Sequence, residues 1–371
     1  MRWLARNWWG WLLAVVATPV SAQEWRTDFS RHIVPLDEIV SGGPPRDGIP
    51  PIDRPRFVSV ADANRWLGAR EPVAVVRVSA RTRIYPIQIL MWHEIVNDVV
   101  AGQPIAVTFC PLCNTTIAFD RRLAGDTVLD FGTTGRLRHS DLVMYDRLTE
   151  TWWQQASGEG LVGALAGRRL RMIPAPVLAW RDARDAYPDA EVLSRATGAA
   201  RPYGQNPYVR YDSERAPLAG FFRRQPDGRL PAMERVVVVA HGSGGVAVPF
   251  TALRDRRLAQ WTREGERIVV FWAPGAASAL DTRDIAQGAD VGAGVAYRPI
   301  VADRALTFCS HRDGTFRDRE TDSRWSITGQ ARDGPLAGRS LEPVVHGNHF
   351  WFAWSVFQPD TEVLQLPDAS C

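Results

Sequence analysis

The stretch Ile105-Ala106-Val107-Thr108-Phe109-Cys110-Pro111-Leu112-Cys113-Asn114-Thr115-Thr116-Ile117-Ala118-Phe119 decides the fold. Residues 105–109 read as a strand, residues 110–114 as a tight turn, and residues 115–119 as a return strand by their period-two alternation. In redox enzymes a Cys-x-x-Cys pair opens a helix whose N-terminal amides lower the pKa of the first thiol. Here the β-branched Thr115, Thr116 and Ile117 disfavour such a helix. A strand, Cys-Pro-x-Cys, a residue that tolerates positive φ (Asn114) and a return strand make the shape of a metal knuckle.

Outward from the pair, residues 72–78 predict a buried strand, and residues 60–67 a short helix. A helix starting at Pro86-Ile87 is expected to run through Val99, placing His93, Glu94 and Asn97 together on a polar arc. Residues 35–55, rich in proline and glycine, predict an ordered arm laid across the domain. Downstream, short strands are expected at 129–131, 142–145 and 152–153, with Gly132, Gly135 and Asp146-Arg147 at the bends. The fold class is α+β, mostly antiparallel β.

Leu165-Ala166-Gly167-Arg168, Leu170, Trp180, Pro188-Asp189 and Glu191-Val192-Leu193 recur 171 positions later. There they read Leu336-Ala337-Gly338-Arg339, Leu341, Trp351, Pro359-Asp360 and Glu362-Val363-Leu364. Asp146-Arg147, Thr149, Thr151 and Trp153 recur as Asp318-Arg319, Thr321, Ser323 and Trp325. Two diverged copies of one β-rich module in tandem are therefore expected. The boundaries are an arm and short helix over 23–70, copy one over 71–200, a linker over 201–233 and copy two over 234–371. The counterpart of the cysteine turn is about Phe271-Trp272-Ala273-Pro274-Gly275, without sulfur. A scaffold that folds without the pair leaves the pair free for another use.

Residues 1–22 have a basic start, an apolar run and Val20-Ser21-Ala22 at a cleavage position, which reads as a signal peptide. Beyond it, no run reaches the roughly 18 apolar residues a membrane span requires. The expected location is periplasmic or secreted, with no stable membrane span after cleavage. Losing Arg2 and Arg6 takes the net charge from +3 to +1, and a near-neutral body gives no electrostatic case for nucleic acid. All 44 basic residues are arginine, which excludes Schiff-base chemistry and a P-loop lysine. No nucleotide cofactor is indicated: Gly242-Ser243-Gly244-Gly245 lacks that lysine and reads as a hairpin turn. His139-Ser140-Asp141 has triad residue types without a nucleophile elbow, so hydrolysis is discounted.

In an oxidising compartment the four cysteines, Cys110, Cys113, Cys309 and Cys371, tend to pair or to hold metal. A closed zinc site takes four ligands, so Cys110 and Cys113 need completion, whereas two thiolates suffice for copper(I). The first candidate is His93, one short connection before the cysteine strand. Glu94 and Met144 are further candidates, with His139 and the Cys309/His311 pair behind them.

The blocks Tyr85-Pro86-Ile87-Gln88-Ile89-Leu90, His93-Glu94-Ile95-Val96-Asn97-Asp98 and Thr108-Phe109-Cys110-Pro111-Leu112-Cys113 resemble the uncharacterised family called domain of unknown function 3179. So do Ser140-Asp141-Leu142-Val143-Met144-Tyr145-Asp146-Arg147 and Phe350-Trp351-Phe352-Ala353-Trp354. The resemblance spans residues 32–365 and implies an exported, bacterial-type protein whose pattern includes His93, Glu94, Asn97, Cys110 and Cys113. A Cys309–Cys371 disulfide is not part of that pattern. Asp322 stands where the pattern has glycine, a position that asks for left-handed backbone.

Three functions fit the residues. The first is a copper(I) or zinc protein with Cys110 and Cys113 as ligands and His93 nearby. The second is a thiol-disulfide oxidoreductase in which Cys110 attacks and Cys113 resolves. The third is a glycan or cell-envelope binding module, using tryptophans such as Trp152, Trp153, Trp351 and Trp354, with a structural disulfide; core packing is the competing role for those rings.

Overall fold

A computed structural model describes residues 25–123, 127–241, 244–311 and 315–366. The signal-peptide segment, residues 242–243 of the glycine turn and Cys371 lie outside them. Among the described residues, no helix is long and apolar enough to cross a membrane.

The chain builds mostly antiparallel sheets with few, short helices. Strand Pro72–Val78 is apolar and buried over its first five residues and pairs antiparallel with Arg81–Pro86. Helix Ile87–His93 follows, and here the expected helix through Val99 is wrong. Glu94 adopts φ 58° and closes the helix with its N–H on the Leu90 carbonyl at 2.7 Å. Ile95, Val96, Val99 and Val100 then favour extended backbone, and Ile95–Val100 pairs with Gln103–Cys110 instead. His93, Glu94 and Asn97 therefore share no helix face.

The knuckle forms as the alternation predicts. Gln103–Cys110 ends in a single 3-10 turn, Pro111–Cys113, then Asn114 at φ 51° and ψ 36° sends the chain back as Thr115–Asp120. Cys110 and Thr115 face each other across the hairpin. These strands lie in a four-stranded sheet ordered Arg171–Ile173, Thr115–Asp120, Gln103–Cys110, Ile95–Val100. A neighbouring sheet runs Ile39–Ser41, Phe131–Arg138, Asp141–Asp146, Trp152–Gln154, Gly160–Val162. The arm over 35–55 is ordered: Ile39 pairs with Arg138, and Ile52 bridges Val96.

Some of these pairings have likenesses in the second half. Leu258–Arg263, Glu266–Ala273, Ala293–Arg298 and Glu342–Pro343 are ordered as the cysteine sheet is, and Arg235–His241 pairs with Gly244–Pro249 as Pro72–Val78 does with Arg81–Pro86. The match extends to single bonds. Trp153 Nε1 donates to Asp146 at 2.9 Å, as Trp325 Nε1 does to Asp318 at 2.9 Å. Thr149 N and Thr321 N donate to the same two carboxylates at 2.6 Å each. Asp322 takes φ 58° at its turn, as Glu150 takes φ 56° in the first half. Trp152, Trp153, Trp351 and Trp354 are all buried, in keeping with core packing.

Residues 201–233, expected to link two modules, carry one 3-10 turn, Tyr211–Ser213, and lie across both halves. On one side Asn206 N and Arg210 N donate to the carbonyls of Arg283 and Asp281. On the other, Tyr211 Oη donates to Leu112 O at 3.0 Å, and Phe221 O accepts from Ser140 N. This strap covers the cysteine turn.

Candidate metal centre

Cys110 and Cys113 are brought to one point by the knuckle, where both are buried free thiols. The third member comes from the adjacent sheet. Phe131–Arg138 turns into Asp141–Asp146 through His139 and Ser140, at φ 53° and 70°, a two-residue hairpin turn with both residues left-handed. The strap holds that turn through Ser140 N, while Ser140 O accepts from Cys110 Sγ at 3.6 Å. Asp141 is thereby turned inward. One ligand atom from each of Cys110, Cys113 and Asp141 lies within 4.8 Å of the others, and all three residues are buried.

Asp141 is held on one side only. Its Oδ2 accepts from Gln154 Nε2 at 2.6 Å and Ala156 N at 2.9 Å. Its Oδ1 is buried with no hydrogen bond of ordinary geometry, and the only donors that act on the carboxyl from that side are the Cys110 and Cys113 thiols. A buried carboxylate oxygen so weakly bonded is costly, and a bound ion or water, a chemical role or stored strain accounts for such atoms in native folds.

Burial dominates the electrostatics. It pushes Asp141 up to about 6 against the bonds from Gln154 and Ala156. It pushes Glu94, 7% exposed, up to about 8, with the Asp141 charge adding to the shift. Burial also raises the Cys110 thiol, and raises the Cys113 thiol well above its ordinary value. Four acidic groups thus sit in one low-dielectric region, each driven toward its neutral form. A cation is the species that allows such a group to ionise in place.

The other candidates are placed differently. His93 lies outside the Cys110, Cys113, Asp141 group, with both ring nitrogens occupied. Nδ1 meets the Pro50 carbonyl at 2.7 Å, so it carries the proton, and Nε2 accepts from Tyr203 Oη at 2.6 Å. Burial lowers its pKa, which keeps the ring neutral. Met144 is fully buried in the core of the first half, opposite Trp153 in the strand pairing. Asn97 fastens the arm, bonding Asp53 and both backbone groups of Phe131. His139 Nε2 lies 3.2 Å from Glu38. Cys309 lies on strand Phe308–Ser310 of the second half, outside that group.

Asp141 and the strap tyrosines are site residues that the sequence does not single out. Beside His139 and Ser140, Asp141 points to hydrolysis and not to a metal. Tyr208 and Tyr211, pushed up by burial and then by the neighbouring acidic groups, sit in a segment that reads as a linker. Its run of aromatic residues is the signal that could have found them.

The family model described as "Protein of unknown function (DUF3179)" matches residues 46–361, and the chain belongs to that family. No curated protein and no solved structure matches the chain.

Proposed function

For this member of the DUF3179 family, we propose an exported, zinc-binding protein in which Cys110, Cys113 and Asp141 hold the metal and Glu94 is the fourth donor. The observation that carries this reading is the Cys110, Cys113, Asp141 cluster, buried and with a carboxylate oxygen that lacks a hydrogen bond of ordinary geometry. Glu94 stands outside that 4.8 Å cluster, and its proposed place as fourth donor rests on its burial within electrostatic reach of Asp141 and Cys110. Two thiolates alone suit copper(I), but a mixed sulfur and oxygen set suits the borderline-soft zinc ion better. Burial of every donor matches a closed site, where metal fastens the fold, rather than an open catalytic one. Export rests on the basic start, apolar run and small residues of positions 1–22. The matched strand orders and turn bonds support descent of the two halves from one module.

Thiol-disulfide exchange is the weaker reading. Exchange needs an accessible thiolate, and burial holds both thiols neutral. The glycan reading loses its groove, since the tryptophans it relied on are buried.

Metal content of the purified full chain tests the proposal. About one equivalent of zinc is expected in the natural protein and none in Cys110→Ser/Cys113→Ser, with Asp141→Asn lowering occupancy. Equal, near-zero metal in all three sinks it.

A further inference from the structure

At the end of the cysteine hairpin far from the thiols, a cavity of about 660 Å³ opens on the surface of the first half. It lies between the start of strand Arg171–Ile173, the residues that follow strand Thr115–Asp120, and two turns. One turn carries Leu148, and the other is closed by Arg168 N on Leu165 O at 3.0 Å. Arg122, Arg168, Arg169 and Arg171 line the cavity, and all four are exposed, so a ligand can reach each of them. Between them the surface is aliphatic: Leu129 is buried, Leu165 is half-buried and Leu148 is 58% exposed. Among the described residues that line it there is no aromatic ring.

The arginines outnumber the acids that hold them. Asp120 takes both Arg122 at 2.7 Å and Arg171 at 2.5 Å, and Arg169 meets Glu159 at 3.1 Å. Arg168 has no ion-pair partner among the described residues. Four positive charges thus face two negative ones, and counting Asp126, which lies outside the described residues, still leaves an excess of one.

The recurrence in the sequence supplies a contrast. Where the first half has Leu148, Arg169 and Arg171, the matching positions hold Glu320, Ser340 and Glu342, while Arg168 is kept as Arg339. Glu342 pairs with Arg298 across its strands as Arg171 does with Asp120, with the signs exchanged. Strand pairing of this kind forms without a basic, leucine-lined surface, so folding alone does not call for Arg171 or for an exposed Leu148.

A guanidinium without a carboxylate is matched by an anionic group, most specifically through two parallel N–H to oxygen bonds. Exposed leucines in a concave surface are covered by an apolar group, and without a ring to stack on, that group is a flexible chain. The volume falls in the range of about 300 to 1,000 Å³ found for small-molecule sites. We propose that this cavity binds a single-chain anionic amphiphile, a fatty-acid carboxylate being the simplest member. The carboxylate bonds Arg168, and the chain covers Leu148 and Leu165.

Calorimetric titration of the full-length protein tests this with laurate, with dodecyltrimethylammonium, which has the same chain and the opposite charge, and with hexanoate, each below the concentration at which it aggregates. Laurate is expected to bind at one site, at least about tenfold more tightly than the cationic chain and about a hundredfold more tightly than hexanoate. Arg168→Glu and Leu148→Glu, both at exposed positions, are each expected to weaken laurate at least about tenfold. Equal affinity for the two twelve-carbon chains, no gain from hexanoate to laurate, or laurate affinity unaltered in either variant overturns the assignment. Sedimentation with phosphatidylglycerol vesicles in the absence of laurate binding would make this surface a membrane contact and overturn it as well.

Discussion

After strand Gln103–Cys110 the chain reverses in four residues, 111–114, whereas after strand Glu266–Ala273 it wanders through residues 274–292 before Ala293–Arg298. The first connection has a thiol at the strand end, Cys110, and another within it, Cys113, and the second has none. The longer connection serves the strap instead. Asp281 and Arg283 hold the strap's backbone, and Ser278 bonds Asp212 within it. The strap then closes over the cysteine turn through Tyr211. One half keeps the Cys110 and Cys113 pair, and the other half anchors its cover. The Asp146 and Asp318 turns, by contrast, agree bond for bond. On the proposed reading, features present in both halves serve folding, and those confined to one serve the metal.

That division can be broken most forcefully at the site itself. Zinc at a thousand times its dissociation constant is expected to stabilise the natural protein by about 4 kcal/mol and to leave Cys110→Ser/Cys113→Ser unchanged. Equal responses in chemical denaturation would remove the distinction between the halves. Next come the shared turns. Asp146→Ala and Asp318→Ala each strand a buried indole N–H and are expected to cost about 3 kcal/mol apiece. A cost confined to one half would end the equivalence.

Tyr211→Phe removes a single bond to Leu112 O, worth about 1 kcal/mol. Alkylation of the metal-free thiols should also quicken, and an unchanged rate would mean that the strap does not protect them. The smallest effect concerns Asp120. Burial pushes its pKa up, but bonds from Arg122 and Arg171 outweigh that and hold it below the ordinary carboxylate range. The unfolded chain therefore takes up the proton first, so the contribution is present above about pH 4 and fades as acid reaches the folded carboxylate. With Arg171 67% exposed, screening keeps it below about 1 kcal/mol. Asp120→Asn should flatten the acid limb of stability measured by urea midpoints, and an unaltered slope would contradict the pairing.

Much of the first half is legible in the sequence because local chemistry agrees with the final fold. The apolar run at Val73 to Val76, the alternation after Asn114 and the left-handed tolerance of Asn114 all point one way. The helix after Pro86 stops short of its expected end because Glu94 turns left-handed with no glycine to announce it. The β-branched residues beyond it mimic helical spacing until the partner strand claims them. His93 is close to the thiols along the chain, yet Pro50 on the arm and Tyr203 on the strap take its nitrogens. Asp141 is illegible as a site residue because a hairpin turn in another sheet aims it inward, a long-range outcome that spacing does not encode.

X-ray absorption at the zinc edge of the metal-loaded protein tests the central claim most directly. Expected is a four-coordinate ion with two sulfurs at about 2.3 Å and oxygens at about 2.0 Å. The sulfurs should vanish in Cys110→Ser/Cys113→Ser and one oxygen should be perturbed in Asp141→Asn. A shell without sulfur, or a protein that takes up no zinc, would contradict it.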